Sequence, residues 1–293
     1  MKLLFIINPI AGTGNTRDAI PIIDKFCSSR NIEYAVYQTK KPGEATQVVR
    51  DACKEYSAVI AVGGDGTVLE VTNGLTGTGI PLGILPLGSG NDFARAVNIP
   101  SGFSNIKEAL KIIADKPAVP VDLASYNGRA FLNIASIGFD AEIIRDLHKV
   151  KRFIKGKSSY FVSVFVKFLT YKPKKVEYII DGSRVVKNTF LAAICNGICY
   201  GGGMKVNPNG SITDGLLDII HIEPVPRYKI PILLFKFMKG EHLSLPVVET
   251  FKCKEVTIKS DNALEVNVDG ECAAATPVTI SLKPLFINVI GNI

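Results

Sequence analysis

The stretch AVIAVGGDGTVLEVTNGL, Ala58 to Leu75, decides how the first half of the chain is read. Its opening run, rich in valine and isoleucine, suits a buried strand. Gly63, Gly64 and Gly66 then remove side chains from the next turn, and the pattern after Thr67 is helical. A strand, a glycine turn and a helix start gather backbone amides into an anion site. One acid, Asp65, stands among the glycines. Its carboxylate would repel a bare phosphate unless a divalent cation lay between them, so the stretch predicts Mg2+ together with a nucleotide. Thr67 offers a hydroxyl to the same phosphates. The plainer alternative is an aspartate that caps the helix behind it.

The same alternation continues on both sides. Strands are expected at 2–7, 33–39, 58–62 and 82–85, and helices near 16–29, 43–55, 68–75, 91–97 and 104–114. This predicts an α/β domain over 1–118 with a mostly parallel sheet flanked by helices. Ligands of such sheets bind beyond the carboxyl ends of the strands. Three glycine-bearing turns fall there: NPIAGTG after the first strand, GGDG after the third and PLGSGND after the fourth. In the last, Gly88 and Gly90 flatten the approach and Ser89 offers a hydroxyl. Asn91 or Asp92 suits the cap of the following helix, and Asp92 serves equally as an orienting group or a ligand contact.

Beyond Pro117 and Pro120 the texture changes to short alternating strands such as AFLNIASIG, KVEYIIDG, TFLAAICNG and LLDIIHIE, separated by Asn-Gly and Asp-Gly turns. Residues 119–293 therefore read as a mostly antiparallel β-sandwich domain. Helical insertions are expected around 141–150, 158–170 and 227–239. The cleft between the two domains is the default site.

Composition sets limits. A chain of 293 residues with 47% hydrophobic content can fill two cores. No G-x-x-x-x-G-K-[ST] occurs, and no G-x-G-x-x-G opens a helix after the first strand, which excludes a P-loop and the dinucleotide fingerprint. Six cysteines without a Cys-x-x-Cys pair or clustered histidines argue against zinc and for buried thiols. The longest apolar stretches, SYFVSVFVKFLTY and IPILLFKFM, fall short of a membrane span. A cytoplasmic protein is expected. Residues 1–118 hold 12 Lys/Arg against 11 Asp/Glu and the remainder 22 against 16, so the net +7 is local. Lys149 to Lys175 concentrates nine basic residues and no acid. That stretch is either a solvated face or a surface for an anionic partner. No nucleic-acid motif accompanies it.

Seven motifs are carried in order along nearly the full length: NPIAG (8–12), GGDGT (63–67), PLGSGNDFAR (86–95), IGFDA (137–141), NGICYGGGM (196–204), DGLLD (214–218) and VDGE (268–271). With them the chain resembles the bacterial diacylglycerol-kinase-like lipid kinases, whose catalytic domain is shared with sphingosine and ceramide kinases. The resemblance implies an ATP site made by Asn8, Pro9, Ile10, Ala11, Gly12, Thr39, Gly63, Gly64, Asp65, Gly66, Thr67, Val68, Leu69 and Ser89, supported by Asn91 and Asp92. It implies that Asp65 holds the catalytic Mg2+ with the phosphates and that Glu271 is the base for the lipid hydroxyl. A second, structural metal would be held by the Asp214 side chain with the carbonyls of Ser211 and Leu216.

The expected function is an ATP-dependent lipid kinase acting on diacylglycerol or a similar lipid. The expected partners are the lipid at a membrane surface and an anionic membrane met through Lys149–Lys175; a homodimer is admitted and nucleic acid is not. The protein would then sit peripherally at the inner membrane face, where a basic cluster gains ~1 kcal/mol per cation. Two rivals stand beside it: a soluble-substrate kinase of the NAD kinase type, and a non-catalytic lipid- or nucleotide-binding regulator. Retention of both Asp65 and Glu271 speaks against the regulator.

Overall fold

The computed structural model describes residues 1–12, 16–150, 167 and 170–293. They form two compact units. The first comprises Met1–Leu123, Ile212–Asp214 and Lys283–Ile293; the second comprises Ala124–Ser211 and Gly215–Leu282. Each unit is thus assembled from separated stretches of chain rather than from one uninterrupted half.

In the first unit the elements run β1 (Lys2–Ile7), α1 (Ile20–Ser29), β2 (Glu33–Gln38), α2 (Glu44–Ala52), β3 (Ala58–Gly63), α3 (Asp65–Leu75), β4 (Leu82–Pro86), α4 (Asp92–Ala96) and α5 (Ile106–Asp115). β1 lies between β2 and β3, and β4 extends the sheet beyond β3, all parallel. Every residue of β3 and β4 is buried, the signature of strands covered on both faces. α5 shows how the covering helices are specified: Ile106, Ala109, Leu110 and Ile113 recur at helical spacing and are buried, together with Ile112. The expected α/β architecture with its parallel sheet is present.

The second unit takes up the end of β5 (Ala118–Tyr126), followed by β6 (Arg129–Phe131), β7 (Ile134–Gly138), α6 (Phe139–Val150), β8 (Lys174–Ile180), β9 (Ser183–Thr189), β10 (Leu191–Cys195), β11 (Leu217–Ile222), α7 (Ile230–Lys239), β12 (Val248–Cys253), β13 (Glu255–Lys259), β14 (Glu265–Val268), β15 (Glu271–Ala275) and the first part of β16 (Val278–Ile290). One sheet has the order β12-β11-β10-β7-β14-β15, with every neighbour antiparallel. β9, β8, β13 and the start of β16 make a second antiparallel layer. Ala135, Ile137, Ile194 and Ile219 of the first sheet share a core with Tyr178, Val256, Ile258 and Ile280 of the second layer. This is the expected sandwich. On the other side of the six-stranded sheet, Phe139 and Ile143 of α6 and Leu233 and Phe237 of α7 join Phe190, Ile220 and Ile222 in a separate apolar cluster.

The second part of β16 belongs to the first unit. Val289 pairs in parallel with Leu82 of β4, the Leu285 amide donates to the Asp122 carboxylate (2.8 Å), and the Asn292 amide donates to the Val97 carbonyl (3.0 Å).

Three strands lack the sequence signal that marked the others. β9 (SRVVKNT) and β12 (VETFKC) are half polar, and β15 (ECAAA) is short and alanine-rich. AFLNIASIG, read as one strand, is broken at Leu132 and Asn133 into β6 and β7. The helix expected at 158–170 falls largely outside the described residues. Among the described residues no helix is long and apolar enough to cross a membrane.

Candidate active site

The three glycine turns of the first unit meet backbone to backbone. Gly12 has a left-handed φ of +63°, and a Cβ there would lie 2.3 Å from the Leu87 carbonyl oxygen. A Cβ on Gly88 would lie 2.2 Å from the Gly64 Cα. Only glycine allows contacts this close. The turns after β1, β3 and β4 therefore form one surface at the carboxyl edge of the sheet, as their spacing suggested.

Asp65 sits differently from expectation. α3 begins at Asp65 itself, with Gly64 as its N-cap, and not at Val68; the Asp65 side chain caps no part of α3. Its Oδ1 instead accepts the amides of Asp92 (2.7 Å) and Phe93 (3.2 Å), the first turn of α4. A Cβ on Gly90 would lie 2.6 Å from Asp65 Oδ2 and 3.3 Å from Asp92 Oδ2, so both carboxylates face the Gly90 backbone. Burial first, and then the nearby Asp92 charge, push the Asp65 carboxyl above its usual range, against the lowering effect of the amides it accepts. Arg95 bonds Asp92 Oδ1 (3.2 Å) and the Gly90 carbonyl, bracing the same turn.

Two crowded carboxylates suit a hard divalent cation, which takes oxygen ligands. Among the described residues no group of three or more His, Cys, Asp or Glu side chains forms a metal cage, so phosphate oxygens and water would have to complete the shell. The donor set therefore fits a metal carried in with a nucleotide.

The other residues of the expected nucleotide set line the same edge. Asn8 Oδ1 accepts the Ile10 amide (3.2 Å) and its carbonyl accepts the Thr16 hydroxyl (2.6 Å), which shapes the first turn; Pro9 and Ala11 are half-buried, while Ile10 and Gly12 are exposed. Thr39 follows directly on β2, its amide bonded to the Ile7 carbonyl (2.9 Å). Thr67 Oγ1 is buried without a hydrogen-bond partner, beneath Gly63. Gly66 and Ser89 are exposed, Val68 is buried and Leu69 half-buried. Asn91, in the left-handed region, bonds the amide (2.9 Å) and carbonyl (2.8 Å) of Gly88 with its side chain. It locks the PLGSG turn, and the cap of α4 comes from Asp65.

In the second unit Glu271 is exposed at the first position of β15, paired with Val268 across the two-residue turn Asp269-Gly270. Both turn residues have positive φ (48° and 93°), which suits an Asp-Gly hairpin. The turn is anchored: the Asp269 carboxylate accepts the amides of Leu132 (2.9 Å), Asn133 (3.1 Å) and Ile134 (2.9 Å). Behind it runs a buried polar chain that sequence reading missed. Asn267 accepts the Gly270 amide (3.1 Å) and donates to Ser136 Oγ (3.0 Å); Ser136 and Tyr200 (2.9 Å) both donate to Asp140 Oδ2. Burial pushes the Asp140 carboxyl up, and its Oδ1 has no partner. The motifs IGFDA and NGICYGGGM contain Asp140 and Tyr200, but nothing in the one-dimensional pattern pairs them.

Asp140 and Tyr200 stand at the wall of an otherwise apolar cavity of about 190 Å3, lined by Phe139, Ile143, Leu233 and Phe237 among others. The expected structural-metal residues fall in different units: Asp214, exposed, belongs to the first, and Ser211 and Leu216 to the second.

Of the basic stretch, Lys151, Arg152, Lys155 and Lys157 lie outside the described residues, and the side chain of Lys149 does too. Lys167 does not belong to a solvated face. It is buried, with Nζ 2.7 Å from Glu142 and 2.9 Å from Asp146. Lys172 and Lys175 are exposed and Lys174 half-buried.

Fold and site together define a class: proteins that join an α/β unit with an acid-bearing glycine turn to an antiparallel β-sandwich. Residues 2–126 match the diacylglycerol kinase catalytic domain, and residues 133–291 match the YegS C-terminal NAD kinase beta sandwich-like domain. A diacylglycerol kinase of Mycobacterium tuberculosis is 30% identical over 99% of this chain and 94% of its own length. One from Bacillus subtilis is 28% identical over 93% and 90%. The crystal structure of a diacylglycerol kinase from Bacillus anthracis is similar with a TM-score of 0.75 at 29% identity, covering 99% of this chain and 97% of that one. The chain belongs to the diacylglycerol kinase family of lipid kinases.

Proposed function

We propose that the protein is an ATP-dependent kinase that phosphorylates the hydroxyl of diacylglycerol or a closely similar lipid. Within the family, the observation that carries the lipid acceptor is the apolar cavity of the second unit. At about 190 Å3 it exceeds the roughly 150 Å3 apolar cavity that accommodates benzene. It therefore has room for a segment of an acyl chain and offers a charged dinucleotide almost no partners. This favours a lipid over the soluble acceptor of an NAD kinase type.

The glycine edge of the first unit is assigned to ATP. Its glycine-lined backbone and the exposed Ser89 hydroxyl suit phosphate oxygens, and Asn91 holds the turn in shape. Asp65 and Asp92 would hold Mg2+, which when bound neutralises phosphate charge as the phosphoryl group moves. Glu271 is assigned as the base. An alcohol is a weak nucleophile at neutral pH, so a positioned carboxylate that takes its proton as the oxygen bonds to the γ-phosphorus accelerates transfer by about 10²–10⁴. The bond from that phosphorus to the β-γ bridging oxygen breaks, and ADP leaves with the electron pair. Asp214, with the carbonyls of Ser211 and Leu216, is assigned to a structural cation, and the reaction is placed at a membrane surface.

The test is transfer of radiolabel from γ-labelled ATP to lipids in mixed micelles. Labelled phosphatidic acid from diacylglycerol supports the assignment. Label in NADP but in no lipid, or hydrolysis without transfer, overturns it.

A further inference from the structure

We propose that α7 is the surface by which the protein lies on an anionic lipid bilayer. The segment from Arg227 to Gly240, RYKIPILLFKFMKG, carries four basic residues and no acid. Its helix is apolar on two opposite faces. Ile230, Leu233 and Phe237 point into the second unit and are buried. Tyr228, Ile232, Phe235 and Met238 point outward and are 73%, 59%, 56% and 66% exposed. A helix apolar all round is ordinarily enclosed. This one is covered on one side only, and an exposed cluster of large apolar side chains marks a docking site.

Charge selects the occupant. Arg227, Lys229 and Lys239 are exposed and Lys236 half-exposed around the apolar face; Lys239 lies over the Phe235 ring (4.5 Å), and Lys205 packs beside Gly240. Apolar residues with a basic rim match the interface of a bilayer bearing anionic lipids, where long cationic side chains reach the headgroups. A second copy joined across a twofold axis would set the same cations against each other. Ten helical residues lie in an interface and do not span it.

The inner face of the same helix explains the placement. Leu233 and Phe237 wall the apolar cavity, and Met238 belongs both to the cavity wall and to the exposed face. A lipid chain passing Met238 moves from bilayer to cavity without crossing water. In this respect the inference rests on the lipid-acceptor reading above.

The chain contains no tryptophan, so Phe235→Trp places a single reporter on the outer face. On addition of phosphatidylcholine vesicles containing phosphatidylglycerol, its emission should shift to shorter wavelength, and brominated lipids should quench it. In co-sedimentation, Ile232→Ser with Phe235→Ser should weaken vesicle binding at least tenfold. Lys229→Gln with Lys239→Gln should weaken it by about 25-fold at low salt, close to fivefold per cation. Turnover of a dispersed short-chain diacylglycerol should stay within twofold of wild type in both. An unshifted emission spectrum of the Phe235→Trp variant, or vesicle binding unchanged in the folded double variants, overturns the proposal. So does conversion of a dimer to a monomer by these variants without loss of vesicle binding, which would assign the face to a second copy. Intact vesicle binding by a protein that phosphorylates no lipid would support α7 docking while removing the kinase assignment.

Discussion

The Asp65 carboxylate caps a helix to which it does not belong: its Oδ1 lies 2.7 Å from the amide of Asp92, the first residue of α4. The acid of the GGDG turn thereby ties the turn after β3 to the turn after β4. It has two duties that substitution can separate. Asp65→Asn keeps an oxygen for the two amides, so the melting temperature should hold while phosphoryl transfer falls by 10² or more. Asp65→Ala should lose activity equally and cost about 1 kcal/mol of stability in addition, the usual worth of a cap. Thermal melts beside a kinase assay distinguish these outcomes.

Glu271 is exposed at the start of β15, and the turn before it is held by Asp269 and not by Glu271 itself. Glu271→Gln should therefore leave the melting temperature within a degree or two and lower kcat by roughly 10²–10⁴, with the KM for ATP nearly unchanged. Steady-state kinetics on diacylglycerol micelles measures both. A kcat within fivefold of wild type removes Glu271 from the role of base.

Gly88→Ala would place a methyl group 2.2 Å from the Gly64 Cα, against backbone with no flexible side chain to give way. The expected cost is about 3 kcal/mol, the upper end of overpacking effects, together with weakened ATP binding because the two turns move apart. Gly66→Ala, in the GGDG turn that Gly88 packs against, meets nothing within 4 Å and should be mild in stability. Denaturant unfolding of the pair provides the comparison.

Enlarging Ile143 to Trp should fill the cavity of the second unit. If an acyl chain occupies it, KM for long-chain diacylglycerol should rise tenfold or more, with little change for a short-chain substrate. Parallel kinetics on the two substrates decide it.

His221 is buried between Thr189 and the Tyr178 ring, and burial first, then Lys187, lower its pKa to about 4 from 6.5. Glu249 acts weakly in the opposite sense. A histidine kept neutral in the folded state takes up its proton on unfolding. Its contribution is fully present above pH 6.5 and is lost as pH falls toward about 4, by up to about 3 kcal/mol at ~1.4 kcal/mol per unit. Urea unfolding followed by circular dichroism across that window should show the slope, and His221→Phe should flatten it.

Much of the first unit was legible because parallel strands buried on both faces are unbroken apolar runs, and glycine turns punctuate them. The strands of the sandwich were legible where β-branched residues alternate, as in LLDIIHIE, and lost where polar residues or alanines replace them, as in VETFKC and ECAAA. Asp65 was legible as an unusual acid, but its partner 27 residues away was not, because capping in trans leaves no local spacing. The Asn267-Ser136-Asp140-Tyr200 chain was hidden for the same reason. Lys167 shows the reverse error. In one dimension it extends a basic run, whereas its acids, Glu142 and Asp146, lie more than 20 residues earlier.

The pairing of Val289 with Leu82 bears on any attempt to divide the molecule. A fragment ending near residue 123 would lack the closing strand of its own sheet, leaving the outer edge of β4 with unsatisfied amides and carbonyls beside buried apolar side chains. Such a piece should stick to itself, and recovery of solubility on adding back a peptide spanning 283–293 would make the chain's last residues a detachable splint.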